Sequence, residues 1–141
     1  MFNSSWYRFC MMFGPTHPQF HHVGIAVLNI LNAGIPTVKP ILDPIQKVSV
    51  AFANLHGCPV ELIEPSEADS PIAKSIQENR KLVHLCFEVD ELGVALAFAR
   101  KNGFLVVHDP VQAVAFQKRR IAWLYHTTLG LIELLERKVA V

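Results

Sequence analysis

No stretch of this chain approaches the roughly 18 consecutive apolar residues that a membrane-spanning helix needs, and no basic start followed by an aliphatic block opens it in the manner of a secretion signal. Charge of neither sign dominates. Thirteen Lys and Arg stand against twelve Asp and Glu, a net +1, which argues against a nucleic-acid or anionic-membrane partner. Cysteine is scarce and odd in number: Cys10, Cys58 and Cys86 have no metal-motif spacing, which fits reduced thiols in a cytoplasm. Charged residues are only 18% against 51% hydrophobic, too apolar for a disordered chain. At 141 residues the chain is long enough to bury one ordinary core, and a single structural domain is expected.

What the chain has instead is internal repetition. His22 in HHVGIAVLNI stands against His84 in VHLCFEVDEL, each followed by a valine (Val27, Val89) and then an aliphatic residue (Ile30, Leu92) at matching distances. VSVAFANLHGCPVELIEP (48–65) stands against IAWLYHTTLGLIELLER (121–137), which pairs Glu61 with Glu133. Self-similarity in a fixed order implies two copies of one supersecondary unit about a pseudo-twofold axis. Such an axis brings both histidines and both glutamates to one place, and two imidazoles with two carboxylates in a common cup form a credible divalent-metal site. A lone histidine in a strand is more often a satisfied core residue. Matched ligand types at His22, Glu61, His84 and Glu133 make chance a poor account.

Patterning fills in the units. Residues 1–19 form an arm rich in Phe, Trp, Tyr and Met, ended by Gly14, Pro15 and Pro18. In His21–Val27, Val23, Ile25 and Val27 alternate with His22, Gly24 and Ala26; in Leu82–Val89, Val83, Leu85, Phe87 and Val89 alternate with His84, Cys86 and Glu88. The apolar faces call for helices outside. Asp90 and Gly103 read as the caps of a helix through LGVALAFARKN, followed by strands at 104–108, 121–125 and 130–136. The first unit repeats the order with strands at 37–42, 47–53 and 59–64, but LNILNAGIP has room for about two helical turns before Gly34 and Pro36. Ser70 and Pro71 open a short connecting helix near 70–80. The expectation is an α+β fold of two pseudo-symmetric βαβββ modules, 20–65 and 82–137, joined by a linker with a short helix at 66–81. Eight strands form an open cup, and the first-module helix is shortened. Exposed sheet edges point to a homodimer, and the arm is expected to cover the face left bare by the short helix.

These segments, HHVGIAV, DPIQKVSVAF, VELIEP with DSPIAKSI, HLCFEVDEL and GLIELLER, resemble the vicinal oxygen chelate superfamily, the fold of glyoxalase I, methylmalonyl-CoA epimerase, extradiol dioxygenases and bleomycin-resistance proteins. The resemblance covers residues 20–137 and is closest to epimerase-like and glyoxalase-like members. It implies His22 and His84 as metal histidines, Glu133 as the last-strand carboxylate ligand and Glu61 where glyoxalase I has a glutamate. Glu133 and Glu61 are then the candidate acid–base groups. One divalent ion (Zn, Ni, Co, Mn or Mg) held by this set keeps positions open for vicinal oxygens of a small molecule and eases loss of the proton next to a carbonyl. The implied function is a metal-dependent isomerase or lyase. A non-catalytic, antibiotic-sequestering binder and an Fe²⁺ extradiol-type dioxygenase are the alternatives, the latter disfavoured by the extra carboxylate Glu61.

Gln46, Ser49, Phe116, Arg120 and Tyr125 are candidates to meet the small-molecule substrate. Arg120, beside Lys118 and Arg119, reads equally as an anion clamp and as a turn of solvated charges. His17 and His21 are expected at the surface or in support, His56 exposed in a turn, His108 and His126 near the mouth. The short first helix and the absence of a carboxylate before DPIQ are departures from the family pattern.

Overall fold

The computed structural model describes residues 11–137. In chain order they form β1 (Gln19–Ala26), β2 (Ile41–Asp43), β3 (Val48–Leu55), β4 (Cys58–Pro65), α1 (Ala73–Gln77), β5 (Leu82–Val89), α2 (Leu92–Lys101), β6 (Leu105–Gln112), a 3-10 turn (Val114–Phe116), β7 (Arg120–His126) and β8 (Gly130–Glu136). All eight strands share one sheet ordered β2-β3-β4-β1-β5-β8-β7-β6. Each half has the same order, reversed about the central β1/β5 pair. β1 runs parallel to β4 and β5 parallel to β8, while β1 and β5 are antiparallel. This is the doubled arrangement expected from the repeat, curled into a half-barrel.

The central seam carries two β-bulges. β1 and β5 pair Phe20 with Phe87 and then His22 with Cys86, which leaves His21 as an extra residue. They pair Gly24 with His84 and then Ile25 with Leu82, which leaves Val83 as another. His21 and Val83 each precede a repeat histidine by one residue, so the bulges obey the pseudo-twofold axis. A bulge breaks strict alternation and re-aims its side chain. Strict alternation therefore misplaces Val83, which packs in the concave cluster of Ala26, Val48, Val50, Ile63 and Ile72 rather than under α2. Leu85 is exposed. On the convex face Phe87 and Val89 do lie under α2, with Leu92, Ala95, Leu96 and Ala99 packed on Ala122, Leu124, Ile132 and Leu134.

The first module differs more from expectation. Its two-turn helix is absent: between β1 and β2 there is a single hydrogen-bonded turn, Ala33 N to Ile30 O at 3.2 Å. Side chains outcompete the helix for backbone donors there, since Glu64 accepts from Ile30 N (3.1 Å) and Asn29 Oδ1 from Asn32 N (2.9 Å). Gly34 then adopts φ +75°. Ile25, Val27, Ile30 and Ala33 close over Ala51 and Leu62 as a small convex core, leaving Leu28 and Leu31 in solvent.

Smaller corrections follow the same logic. β2 is three residues rather than the span 37–42, and α1 starts at Ala73 with Ile72 as its cap position. Ser70 sits buried ahead of it, its hydroxyl taking Ile72 N (3.4 Å) and its carbonyl Ala73 N (3.0 Å). Glu91, not Asp90, occupies the N-cap of α2 and makes no side-chain cap; Asp90 instead accepts from Arg137 and pairs with His17. Gly103, at φ +86°, does end α2, and Phe104 N returns to Ala99 O at 3.0 Å. The described part of the arm docks on the second module, not beside the first: Phe13 is buried between Phe87 and Phe104, with ring centroids 5.9 and 5.4 Å away. Trp6, Tyr7, Phe9 and Cys10 lie outside the described residues. None of the described helices is long and apolar enough to cross a membrane.

Candidate metal centre

The seam register builds the site. His22 faces Cys86 across β1/β5 and His84 faces Gly24. On the flanking strands Glu61 lies beside Gly24 and Glu133 beside Cys86. Each glutamate therefore neighbours the residue two beyond a repeat histidine, and all four side chains meet on the concave floor. Nε2 of His22 lies 3.1 Å from Nε2 of His84, 3.6 Å from Glu61 Oε2 and 3.4 Å from Glu133 Oε1. Nε2 of His84 lies 4.0 Å from Glu61 Oε1 and 3.9 Å from Glu133 Oε1. One ligand atom each from His22, Glu61 and His84 lies within 4.8 Å of the others, a grouping that could hold one ion, and Glu133 Oε1 stands beside both histidine nitrogens as a further donor.

The chemistry of the donors agrees. All four residues are buried, His22 completely. Burial lowers the pKa of His22 to about 2, with His84 and His21 adding to the fall, and lowers His84 to about 4. Both rings are therefore neutral at ordinary pH and carry a free lone pair. Burial raises Glu133 to about 7, with a Cys86 contact opposing and Asp43 adding to the rise. Glu61 is pushed well up by burial and then by Glu133 and Asp43. Glu133 Oε1 has no hydrogen-bond partner among the described residues, and a buried acceptor of that kind is costly unless something else fills the role. A divalent cation would satisfy the unpaired oxygen and offset the repulsion between the two carboxylates once their protons are released.

Gly24 makes the site possible. A Cβ there would collide with Cε1 and Nδ1 of the His84 ring, so the glycine is needed for space rather than for backbone freedom. His84 is held from the other side by Trp123, edge to face at 4.8 Å. The indole Nε1–H donates to Gln46 Oε1 at 3.1 Å, and Gln46 Nε2 donates to Asp43 Oδ2 at 2.9 Å. A carboxylate only accepts and an indole only donates, so one orientation of the Gln46 amide satisfies both. Asp43 also takes the backbone N–H of Ile45 and Gln46, each at 3.0 Å, and so folds the DPIQ turn around itself. His22 stacks on Phe116 at 5.8 Å and meets the edge of Phe52 at 5.8 Å.

Above the floor is a cup of about 930 Å³, within the range of small-molecule sites. Gln46, Phe116 and Tyr125 line it. Ser49 is elsewhere: it alternates with Val48 and Val50, which face the concave core, and pairs with Glu64. Arg120 is outside the cup too, bound to Glu136 through Nε (2.7 Å) and Nη2 (2.8 Å). Arg119 is engaged by Glu88 at 2.7 Å, so two of the KRR charges are internally paired. His108 reaches the cup, whereas His126 caps its own turn through Thr128 N at 3.1 Å, and His17 and His56 are exposed. Sequence reasoning passes over Gly24, Asp43 and Trp123. A glycine inside a strand is itself a signal of close approach, and Asp-Pro signals a side-chain-capped turn, but nothing local points Trp123 at His84.

With this geometry in view, the comparisons with known proteins are specific. The sequence profile of the Glyoxalase/Bleomycin resistance protein/Dioxygenase superfamily matches residues 21–123. The chain belongs to that superfamily. Among curated relatives it is 33% identical over 112 residues to the human mitochondrial methylmalonyl-CoA epimerase, covering 71% of this chain and 62% of that protein, and 29% identical over 110 residues to the bovine one, covering 71% and 63%. The match thus spans about three-fifths of these relatives' length. Among solved structures, a hypothetical protein of Bacillus halodurans superposes with TM-score 0.74 at 25% identity, covering 89% of this chain and 98% of that one. Methylmalonyl-CoA epimerase of Mycobacterium tuberculosis superposes with TM-score 0.70 at 22% identity, covering 85% and 88%. The structures under 25% identity establish the shared fold.

Proposed function

We propose that this protein is a metal-dependent isomerase that moves a proton next to the carbonyl of a small molecule. The observation that carries this reading is the convergence of two neutral histidines and two proton-holding glutamates, one pair from each module, on the floor of a small-molecule-sized cup. His22, His84, Glu61 and Glu133 would hold one divalent ion. That ion, when bound, supplies positive charge to a carbonyl oxygen as negative charge develops there.

The protein's own groups do the rest. Glu133, by loosening from the ion, would take up and return a proton, the role its metal-free state already shows by holding a proton up to about pH 7 in its buried setting. Glu61 comes from the other module with its own raised pKa, so a substrate seated over the ion between them would have one carboxyl on either side. An epimerisation needs that arrangement: one group removes the proton and the other returns it on the opposite face. Burial of the floor excludes competing water, and Gln46, Phe116 and Tyr125 on the walls orient the substrate. The similarity to methylmalonyl-CoA epimerases makes an acyl thioester with an acidic α-hydrogen the first substrate to test.

The experiment is proton exchange. Purified protein is stripped of metal, reloaded with Zn²⁺, Ni²⁺, Co²⁺, Mn²⁺ or Mg²⁺, and mixed with methylmalonyl-CoA in D₂O. Metal-dependent loss of the α-proton signal by NMR, abolished by Glu133→Gln, is the expected result. Tight metal binding with no exchange on this substrate or on a glyoxalase-type hemithioacetal would overturn the isomerase reading and favour a sequestering role for the cup.

A further inference from the structure

The two histidines of the site differ in what stands behind them. His21 and Val83, the bulge residues of β1 and β5, are equivalent under the pseudo-twofold axis. In β5 the bulge delivers a valine to the apolar cluster behind Ile72. In β1 it turns a second imidazole toward the first, so that Nδ1 of His21 lies 2.8 Å from Nδ1 of His22. The rings meet edge to face with centroids 5.1 Å apart. His21 is fixed in turn on the edge of Phe116 at 5.6 Å, the same ring that stacks on His22. Regular alternation would send His21 to the convex side; the bulge supplies this contact.

Two Nδ1 atoms at that distance share one proton, and which ring carries it decides whether His22 can act as a ligand. To act as a ligand, the His22 ring must be neutral and so hold one proton, on Nδ1 or on Nε2. Only with the proton on Nδ1 does the Nε2 lone pair face His84, Glu61 and Glu133. The geometry assigns His21 as the positioning residue that fixes this tautomer: His22 Nδ1–H donates to the bare Nδ1 of His21, whose own proton sits on Nε2. Metal-ligating histidines donate their second ring N–H to an acceptor in this way, and that acceptor governs ring orientation and basicity. Here the acceptor is the neighbouring residue, delivered by a bulge that the second module also has but fills with an apolar side chain. Among the described residues His84 Nδ1 has no such partner, and the ring is steered by packing, between Trp123 and Gly24.

This inference rests on the proposed metal centre, and Zn²⁺ binding separates the two. Apo-protein is titrated with Zn²⁺ alone by calorimetry for wild type, His21→Phe and His21→Asn. Phenylalanine keeps a ring and removes the acceptor, whereas asparagine places an oxygen near the position of Nδ1. The expected result is one ion per wild-type chain, a roughly 10–100-fold weaker site in His21→Phe, and recovery of most of that loss in His21→Asn. Nitrogen-15 NMR of the Zn²⁺-loaded wild type should show the His22 proton on Nδ1, a readout that holds even where a variant folds poorly. Failure of wild type to bind Zn²⁺ or any other divalent ion would remove the metal centre itself. Normal binding with equal affinity in His21→Phe, or a His22 proton found on Nε2, would overturn the tautomer assignment alone. His21, His22 and Cys86 also offer ligand atoms within 4.8 Å of one another. Two ions per wild-type chain, falling to one in His21→Phe, would make His21 a ligand and overturn its role as an acceptor.

Discussion

The two modules are alike where they face each other and unlike where they face outward. On the concave side each contributes one histidine, one glutamate and one bulge at equivalent register positions. On the convex side the second module lies under the ten-residue helix α2 and Phe13, whereas among the described residues the first is covered by the loop through Ile30 and Ala33. Even within the site the symmetry fails at two places: Gly24 answers to Cys86, and His21 answers to Val83. The ligand geometry needs only the inner faces, so a helix can be lost from the outer face of one copy while every donor stays in place.

The largest effect is expected at Gly24. Gly24→Ala drives a methyl group into the His84 ring, and a ring pushed off the floor no longer shares a focus with His22, so Zn²⁺ affinity and proton exchange should both collapse. Gly93, in α2 with open space around it, is the control: Gly93→Ala should raise stability by about 0.5–1 kcal/mol. Thermal melts and Zn²⁺ titrations of both variants check this. Unchanged Zn²⁺ affinity in Gly24→Ala would mean that His84 is not a ligand in the orientation described.

Next comes the covering of the second module. Phe13 is packed against Phe87 and Phe104 in the cluster that α2 completes, and truncating a buried phenylalanine costs about 3–5 kcal/mol. Phe13→Ala should therefore lower the denaturant midpoint sharply without changing which residues bind metal. A midpoint within experimental error of wild type would show that the arm does not stay on α2 in solution, and the arm's place beside the first module would again be open.

The carboxyls of both modules set a pH dependence. His22 and His84, with pKa values of about 2 and about 4, carry no second ring proton near neutrality, whereas Glu133 holds a proton up to about 7 and Glu61 is also raised. An entering cation displaces these carboxyl protons, so Zn²⁺ affinity should rise about tenfold per pH unit for each proton released and flatten as the carboxyls ionise. The metal-free fold responds oppositely. Between the ordinary glutamate value of 4.5 and about 7, folded Glu133 binds a proton that the unfolded chain has released, which favours the folded state at lower pH. The unfolded histidines, with an ordinary value of 6.5, still bind protons near pH 7 and oppose this trend. They are largely neutral in both states only above about pH 7.5, and from there the melting temperature of metal-free protein should fall as the remaining carboxyl protons are lost. A melting temperature that does not fall above about pH 7.5, together with pH-independent Zn²⁺ affinity, would contradict carboxyls that hold protons.

Much of this was legible in the sequence. The repeat of histidine and glutamate gives the half-and-half strand order, because equivalent residues in two copies of one unit must take equivalent places in the sheet. The βαβββ order of the second module is readable because Leu92, Ala95, Leu96 and Ala99 recur at helical spacing and Gly103 stops them. The bulges are not readable: shifting one residue out of register leaves the pattern of HHVGIAV and LVHLCFEV untouched, yet it moves Val83 to the concave side and turns His21 onto His22. Arg120 looks like an anion clamp until Glu136 is found opposite it, a partner set by the β7/β8 pairing of Ile121 with Leu135. The absent first helix lies between these cases, since Gly34 and Pro36 limit its length but the competing acceptor Glu64 arrives from β4.

The smallest predicted effect tests the bare face of the first module. Leu31 is 82% exposed, at the point where a first-module helix would have stood. An exposed leucine is no anomaly in itself, since much of any protein surface is apolar. If the loop leaves Leu31 in water in the intact protein, Leu31→Ser removes little buried area, and stability should stay within about 0.5 kcal/mol of wild type. Ala33, in the same loop and packed against Ile30 and Leu62, gives the contrast: Ala33→Asp should cost far more, because it forces a charge into the small convex core. Equilibrium unfolding of the pair at two protein concentrations reads both effects. A loss above about 1.5 kcal/mol in Leu31→Ser, a size that marks burial of a leucine side chain, would show that something covers this face. If that loss grew with protein concentration, the cover would be a second copy of the chain.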